Sequence, residues 1–268
     1  MFLSKPYFPA PTENRMGDDG DLLTARRIFY DEKPRNLWAL MRNRFSWMNR
    51  YVDPEKHAGV EVGCGIGVVK EFVRAKSILL TDYAESPWLD VKMVDAMKTP
   101  FRDEEFDFVV CMNMIHHLPN AMQLFREMRR ILKPGGVLLV QEANASFLLR
   151  LALRLMRKEG YSFEVNVFDE NIILSDPANP WSGNNAIGEL LFNDHTKFHT
   201  HVPFFRIEQD EYSECFLFLN SGGVTAKTIS VPLPAWGVRL VELLDKVCVR
   251  LAPNFFAMQR SIALRKIS

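Results

Sequence analysis

Between residues 59 and 141 the chain alternates short, nearly continuous apolar runs with stretches in which apolar residues recur every three or four positions. The first kind, at 59–62, 77–81, 91–94, 106–112 and 137–141, predicts buried strands; the second, at 68–74 and 121–132, predicts helices packed by one face. Strands alternating with helices predict an α/β fold around a parallel sheet of βαβ units. Upstream, Leu22, Ala25 and Ile28, then Leu37, Leu40, Met41, Phe45 and Met48, keep helical spacing on either side of Pro34, so a helical cap is expected before Pro54. Residues 1–20, with Pro6, Pro9 and Pro11, lack a period and predict a loose arm.

After Glu142 the pattern changes. Residues 146–158 set Arg150, Arg154 and Arg157 on one helical face and Phe147, Leu148, Leu151 and Leu155 on another. An acidic, asparagine-rich stretch over 168–185 is too long for a bare connector and is expected to select the substrate. Strands within 205–218 and at 261–266, with a helix over 238–251 between them, would complete the sheet. The predicted organisation is an arm and helical cap (1–54), an alternating α/β core (55–145), a helix with an inserted recognition region (146–204) and closing strands and helix (205–268).

Composition narrows the class. Hydrophobic residues at 47% and charged residues at 25% match a soluble globular protein and exclude extended disorder. Lys+Arg and Asp+Glu both number 33, so no overall field draws the molecule to nucleic acid, and none is expected as a partner. The charges are nonetheless uneven: residues 159–225 hold eleven acids against two bases, and residues 226–268 seven bases against two acids. Cys64, Cys111, Cys215 and Cys248 form no C-x-x-C pair, which predicts neither a disulfide framework nor a zinc knuckle. No basic segment followed by a long apolar stretch opens the chain and no membrane-length apolar run occurs, so a cytoplasmic location is expected.

Candidate chemistry begins at Glu61-Val62-Gly63-Cys64-Gly65-Ile66-Gly67, between a predicted strand and a predicted helix. Glycines there let the backbone turn sharply and approach a ligand, with helix N-terminal amides expected to face it. Val68 breaks the dinucleotide pattern G-x-G-x-x-G, which disfavours a pyrophosphate. Asp82, at the end of the next apolar run, suits a ribose diol, and Asp95 beside the small Ala96 suits an adenine amino group.

Together with Thr99-Pro100-Phe101, Phe106-Asp107-Phe108-Val109-Val110, Ile115-His116-His117-Leu118-Pro119 and Leu132-Lys133-Pro134-Gly135-Gly136, these motifs resemble, in order, the class I S-adenosylmethionine-dependent methyltransferases of the small-molecule branch. The resemblance covers roughly residues 55–145. It implies a Rossmann-like seven-stranded sheet of order 3-2-1-4-5-7-6 with the seventh strand antiparallel, helices on both faces, and S-adenosylmethionine across the carboxyl ends of strands one and four. It further implies that Gly63, Gly65 and Gly67 line the methionine part, Glu61 orients the loop and amino group, Asp82 holds ribose, Asp95 and Ala96 meet adenine, and Asn113 or Met114 flanks the sulfonium. Glycine in the 132–136 turn would cap a helix.

If the acceptor carries a hydroxyl or acid proton, His116 or His117 is the candidate base, with His117 favoured. His195, His199 and His201 have ligand-like spacing beside Asp194, but no thiolate pair or second carboxylate accompanies them and no metal is expected. Trp181, Asn184 and Asn185 combine an aromatic plate with amides, a mixture suited to a sugar face. The basic amphipathic segments at 146–158 and around Trp236, Arg239, Leu240, Leu243, Lys246 and Arg250 suit either packing on the sheet or peripheral contact with an anionic membrane. The expected activity is methyl transfer to a small or lipid-linked acceptor, foremost O-methylation of a sugar-like hydroxyl. The alternatives are a methyltransferase-like binder without turnover and a nicotinamide-dependent oxidoreductase.

Overall fold

The computed structural model describes residues 2–10, 21–176, 179, 182–224 and 227–267. Seven strands make one sheet: β1 Ala58–Val62, β2 Ser77–Asp82, β3 Val91–Lys92, β4 Phe106–Met112, β5 Leu132–Ala143, β6 Phe205–Ser213 and β7 Gln259–Lys266. The spatial order is β3-β2-β1-β4-β5-β7-β6, with β1 to β5 parallel and β7 antiparallel to both neighbours, as the motif resemblance implied. The chain runs outward from β1 to β3 and then returns to β4 beside β1. That reversal opens a crevice at the carboxyl ends of β1 and β4.

The apolar runs become central strands because both their faces are covered. Phe108 and Val110 of β4 enter one apolar layer, Val109 and Cys111 the opposite one, following the two-residue period of a pleated strand. Helices α1 Leu22–Arg27, α2 Arg35–Phe45 and α8 Ala235–Leu251 close the first layer through Ala25, Leu40 and Val238. Helices α3 Ala121–Ile131, α5 Ile187–Phe192 and α6 His195–His201 close the second through Phe125, Phe192 and Phe198. A third cluster lies beneath α4 Phe147–Met156 and the short α7 Phe216–Leu219 and α9 Pro253–Phe256. Asp21, Asn120, Ser146 and Asp194 start α1, α3, α4 and α6, each accepting a main-chain N–H of the first turn. The cap is pinned to the sheet by Arg44 of α2, whose Nε and Nη2 donate to the buried Glu214 carboxylate at 2.9 and 2.8 Å.

Four expectations change. The 68–74 helix is only a 3-10 turn over Val69–Glu71, and the 91–94 strand only the two residues of β3. Gly135 is left-handed (φ +73), but α3 has already closed at an extended Leu132, so the glycine serves an irregularity in β5, where its register with β4 shifts, and not a helix cap. The arm is docked over its described residues: Tyr7 and Tyr161 exchange main-chain hydrogen bonds of 2.9 and 2.8 Å. All four cysteines are free thiols. Among the described residues no helix is long and apolar enough to cross a membrane.

Candidate active site

The glycine loop leaves β1 with Gly63, Gly65 and Gly67 all left-handed (φ +67, +51 and +65), a conformation that side-chain-bearing residues rarely adopt. A Cβ on Gly67 would lie 2.7 Å from the Trp88 ring, whereas one on Gly65 would point into open space. The loop amides do not form an anion cradle. Those of Cys64, Gly65 and Gly67 donate to the Thr81 carbonyl, Asp82 and the Cys64 carbonyl. With no α-helix behind the loop, the expected helix N-terminus is missing as well, which corrects that expectation and weakens a pyrophosphate site further. The loop carbonyls are held from outside by Trp88, whose Nε1 donates to Gly65, and by Arg26, which donates to Ile66 and Gly67. Neither brace had a signal in the sequence, because each reaches the loop from a segment distant along the chain.

Asp82 accepts from Gly65 N at 2.8 Å and Ala84 N at 3.0 Å, and Asp95 from Met97 N at 2.8 Å, so both acids also shape the turns that carry them. Ala96 is buried in the sheet core. Glu61 is the exceptional group. It is 1% exposed, and its Oε2 has no hydrogen-bond partner among the described residues. Burial, reinforced by the nearby Asp82, pushes its carboxyl well above the ordinary range. At the end of β4, Asn113 takes a left-handed conformation (φ +48), and its buried Oδ1 likewise has no partner among the described residues. Met114 packs where a Cβ on Gly63 would stand, at 3.2 Å. Two unpartnered buried acceptors thus lie at the carboxyl edge of the neighbouring strands β1 and β4.

Beyond Asn113, His116 and His117 sit in a 3-10 turn, and here the structure adds two residues that the motifs did not single out. The Glu142 carboxylate, at the end of β5, accepts from Ile115 N and Ala143 N and meets His116 Nδ1; Glu159 Oε2 lies 3.6 Å from His116 Nε2. Burial opposes a charge on His116, but Glu142, seconded by Glu159, raises it to about 10. His116 is therefore an imidazolium with a carboxylate at each nitrogen, which removes it as a base. His117 differs. Burial and the neighbouring His116 charge push it below its ordinary value, and its Nδ1 lies 2.9 Å from the Ser182 carbonyl, which fixes the proton there and leaves Nε2 as the basic atom, 3.5 Å from Glu159 Oε1. Burial also opposes ionisation of Glu159, yet the two histidines and the Asn185 amide hold its carboxyl down to about 2.

Among the described residues, His116, His117 and Glu159 are the grouping whose ligand-type atoms come together, within 4.8 Å. The 195–201 histidines do not converge: His195 pairs with Asp210, and His201 bonds the Lys197 carbonyl and stacks on Phe168. Beside Glu159 opens a cleft of about 510 Å³ lined by Phe8, Pro9, Ile173, Asp176 and Ser182. The predicted amide contacts with an acceptor need correction. Asn184 is 1% exposed, with its side chain bonded to both main-chain groups of Ser162, and Asn185 donates to Glu159 and to the Gly160 carbonyl. Both hold the wall of the cleft in place. Trp181 lies outside the described residues.

Residues 60–140 match the family model described as a methyltransferase domain. The chain is similar to a sterol 24-C-methyltransferase of Gibberella zeae (34% identity, over 31% of this chain and 27% of that protein) and to a ubiquinone biosynthesis O-methyltransferase of Histophilus somni (28%, over 33% and 45%). It thus spans less than half the length of either relative. In fold it is similar to the crystal structure of a SAM-dependent methyltransferase from Archaeoglobus fulgidus, with a TM-score of 0.52 at 15% identity, covering 89% of this chain and 99% of that one.

Proposed function

We propose that this chain, whose residues 60–140 match a methyltransferase domain, is a class I S-adenosylmethionine-dependent methyltransferase that binds that cofactor at the β1–β4 crevice and methylates an acceptor held in the cleft beside Glu159. The observation that carries the reading is the pair of buried acceptors without partners, Glu61 Oε2 and Asn113 Oδ1. A ligand with an ammonium group would give both acceptors a donor and favour ionisation of the buried Glu61 carboxyl, whereas an anionic ligand would do neither. The cofactor fits this set of acceptors: Glu61 and Asn113 would hold its amino acid end, the left-handed glycines would let it approach the main chain, and Asp82 and Asp95 keep lone pairs for ribose and adenine. When bound, it supplies a methyl group on a sulfonium, a leaving group that needs no further activation.

The chain's own task is then alignment and proton removal. His117 Nε2 accepts the proton of an acceptor hydroxyl as its oxygen attacks, and the Glu159 carboxylate stabilises the imidazolium that forms. His116, already charged and held by Glu142, fixes Glu159 without competing for the proton. A sugar-like hydroxyl on a small or lipid-linked molecule is supported by the polar lining of the cleft, Glu159, Asp176 and Ser182, with Phe8 as an aromatic surface. The test is calorimetry with S-adenosylhomocysteine and with a nicotinamide dinucleotide, followed by a mass-spectrometric screen for methylated polyols and lipid-linked sugars. Binding of the first ligand alone, with a methylated product, is the expected result. Dinucleotide binding instead overturns the cofactor assignment, and cofactor binding without product from any hydroxyl acceptor overturns O-methylation.

A further inference from the structure

Helix α8 carries an apolar stripe on the wrong side for a helix that only covers a core. Its inward face is accounted for: Val238 and Val249 are buried, Asp245 accepts the N–H groups of Phe216 and Leu217, and Glu242 pairs with Arg42 and Asn43 of α2. Outward, Trp236, Leu240, Leu243, Leu244, Val247 and Leu251 recur at three- and four-residue steps along one face. Trp236 is 71% exposed, Leu243 58% and Leu251 78%. A continuous stripe of this kind on a soluble surface marks an interaction site.

Its rim identifies the partner. Arg239, Lys246 and Arg250, spaced seven and four residues apart, line one edge of the stripe, are exposed, and form no ion pair among the described residues. Both acids of α8, Glu242 and Asp245, are engaged inward, so the outward face is apolar and cationic with no counter-charge of its own. A second copy of the same face would bring no acid to meet these bases. Helix α4 shows the contrast: Arg150 and Arg154 donate to the Leu3 and Lys5 carbonyls of the N-terminal arm, and Arg154 also to the Tyr161 hydroxyl. Those two charges serve the fold, whereas α8 retains both halves of a membrane-binding face.

We propose that α8 docks this protein on the surface of an anionic lipid bilayer, with its apolar stripe among the headgroups and Arg239, Lys246 and Arg250 against lipid phosphates. The helix lies along the surface without crossing it. The inference stands apart from the methyl-transfer reading, and its test needs no turnover. In vesicle flotation, the full chain is expected to float with phosphatidylcholine containing roughly a third phosphatidylglycerol and not with phosphatidylcholine alone. Leu240→Glu/Leu244→Glu should abolish flotation while leaving the melting transition and S-adenosylhomocysteine affinity unchanged. Arg239→Gln/Lys246→Gln/Arg250→Gln, confined to exposed side chains, should lower partitioning by roughly tenfold to a hundredfold. Absence of flotation, equal binding to both vesicle types, or a dimer in light scattering that the double glutamate variant dissociates would each overturn it, the last by assigning the stripe to self-association.

Discussion

Glu61 and Glu142 end neighbouring regions of the same sheet, on β1 and β5, and both are almost wholly removed from water, yet their surroundings are opposite. Glu142 accepts two main-chain N–H groups and faces the His116 imidazolium. One oxygen of Glu61 faces no donor among the described residues. A buried carboxylate with a resident cation belongs to the finished fold, and under the proposed function the carboxyl without one gains its cation from the ligand. On that reading the two sites separate what folding has assembled from what binding would complete.

The largest expected effect of breaking this contrast is on stability. Glu142→Ala leaves the His116 charge buried with one carboxylate in place of two and should cost about 3–5 kcal/mol in urea unfolding. Glu61→Gln, which mimics a carboxyl already neutral without ligand, should stay within about 0.5 kcal/mol of wild type. Equal losses at both positions would erase the distinction. Next comes turnover: His117→Ala should lower it by roughly a hundredfold with cofactor affinity retained, because the base acts only on the acceptor's proton. Since the His117 pKa is depressed, wild-type activity should persist below pH 6.5 before its acid limb appears. A smaller effect follows from Glu61→Gln on S-adenosylhomocysteine affinity, roughly tenfold by calorimetry, from loss of a charge-assisted contact.

The pH dependence of stability should show the same division. His116, raised from 6.5 to about 10, stabilises fully below 6.5 and loses that contribution as pH rises toward 10. Glu159, lowered from 4.5 to about 2, and Glu142, also lowered, contribute above 4.5 and lose it as pH falls through their depressed values. His116, Glu142 and Glu159 therefore support the fold together between pH 4.5 and 6.5, while His117, whose value is depressed, subtracts from stability as pH falls below 6.5. The pH dependence of urea midpoints should narrow in Glu142→Ala and remain in Glu61→Gln.

The central strands were legible because burial on both faces leaves unbroken apolar runs, and the glycine loop because a left-handed backbone at three alternate positions admits little else. The 68–74 helix was not: Val68, Val69 and Val73 have helical spacing, but seven residues cannot separate one packed turn from a helix. His116 was visible and its role was not, since Glu142 meets it across strand ends, 26 residues on. Glu142 did carry a faint signal as an acid closing a β run, like Asp82. Asn184 and Asn185 looked like ligand groups because an amide that bonds a loop and one that bonds a sugar have the same composition.

The arm over residues 2–10 gives the cleft an uneven energetic constitution. Phe8 and Pro9 form part of its wall, yet they are fastened by the Tyr7–Tyr161 main-chain pair and by two arginines that reach the Leu3 and Lys5 carbonyls. The opposite wall is carried by segments tied to the sheet through His116 and Asn184. Releasing the arm would leave the β4–β5 ladder untouched, so it is expected to open as a separate unit at lower free energy than the sheet. The amides of Tyr7 and Tyr161 should then exchange with deuterium together, well ahead of those of Val109 and Val140. If the cleft takes the acceptor as proposed, opening of the arm would admit it at a rate that the sheet beneath does not set.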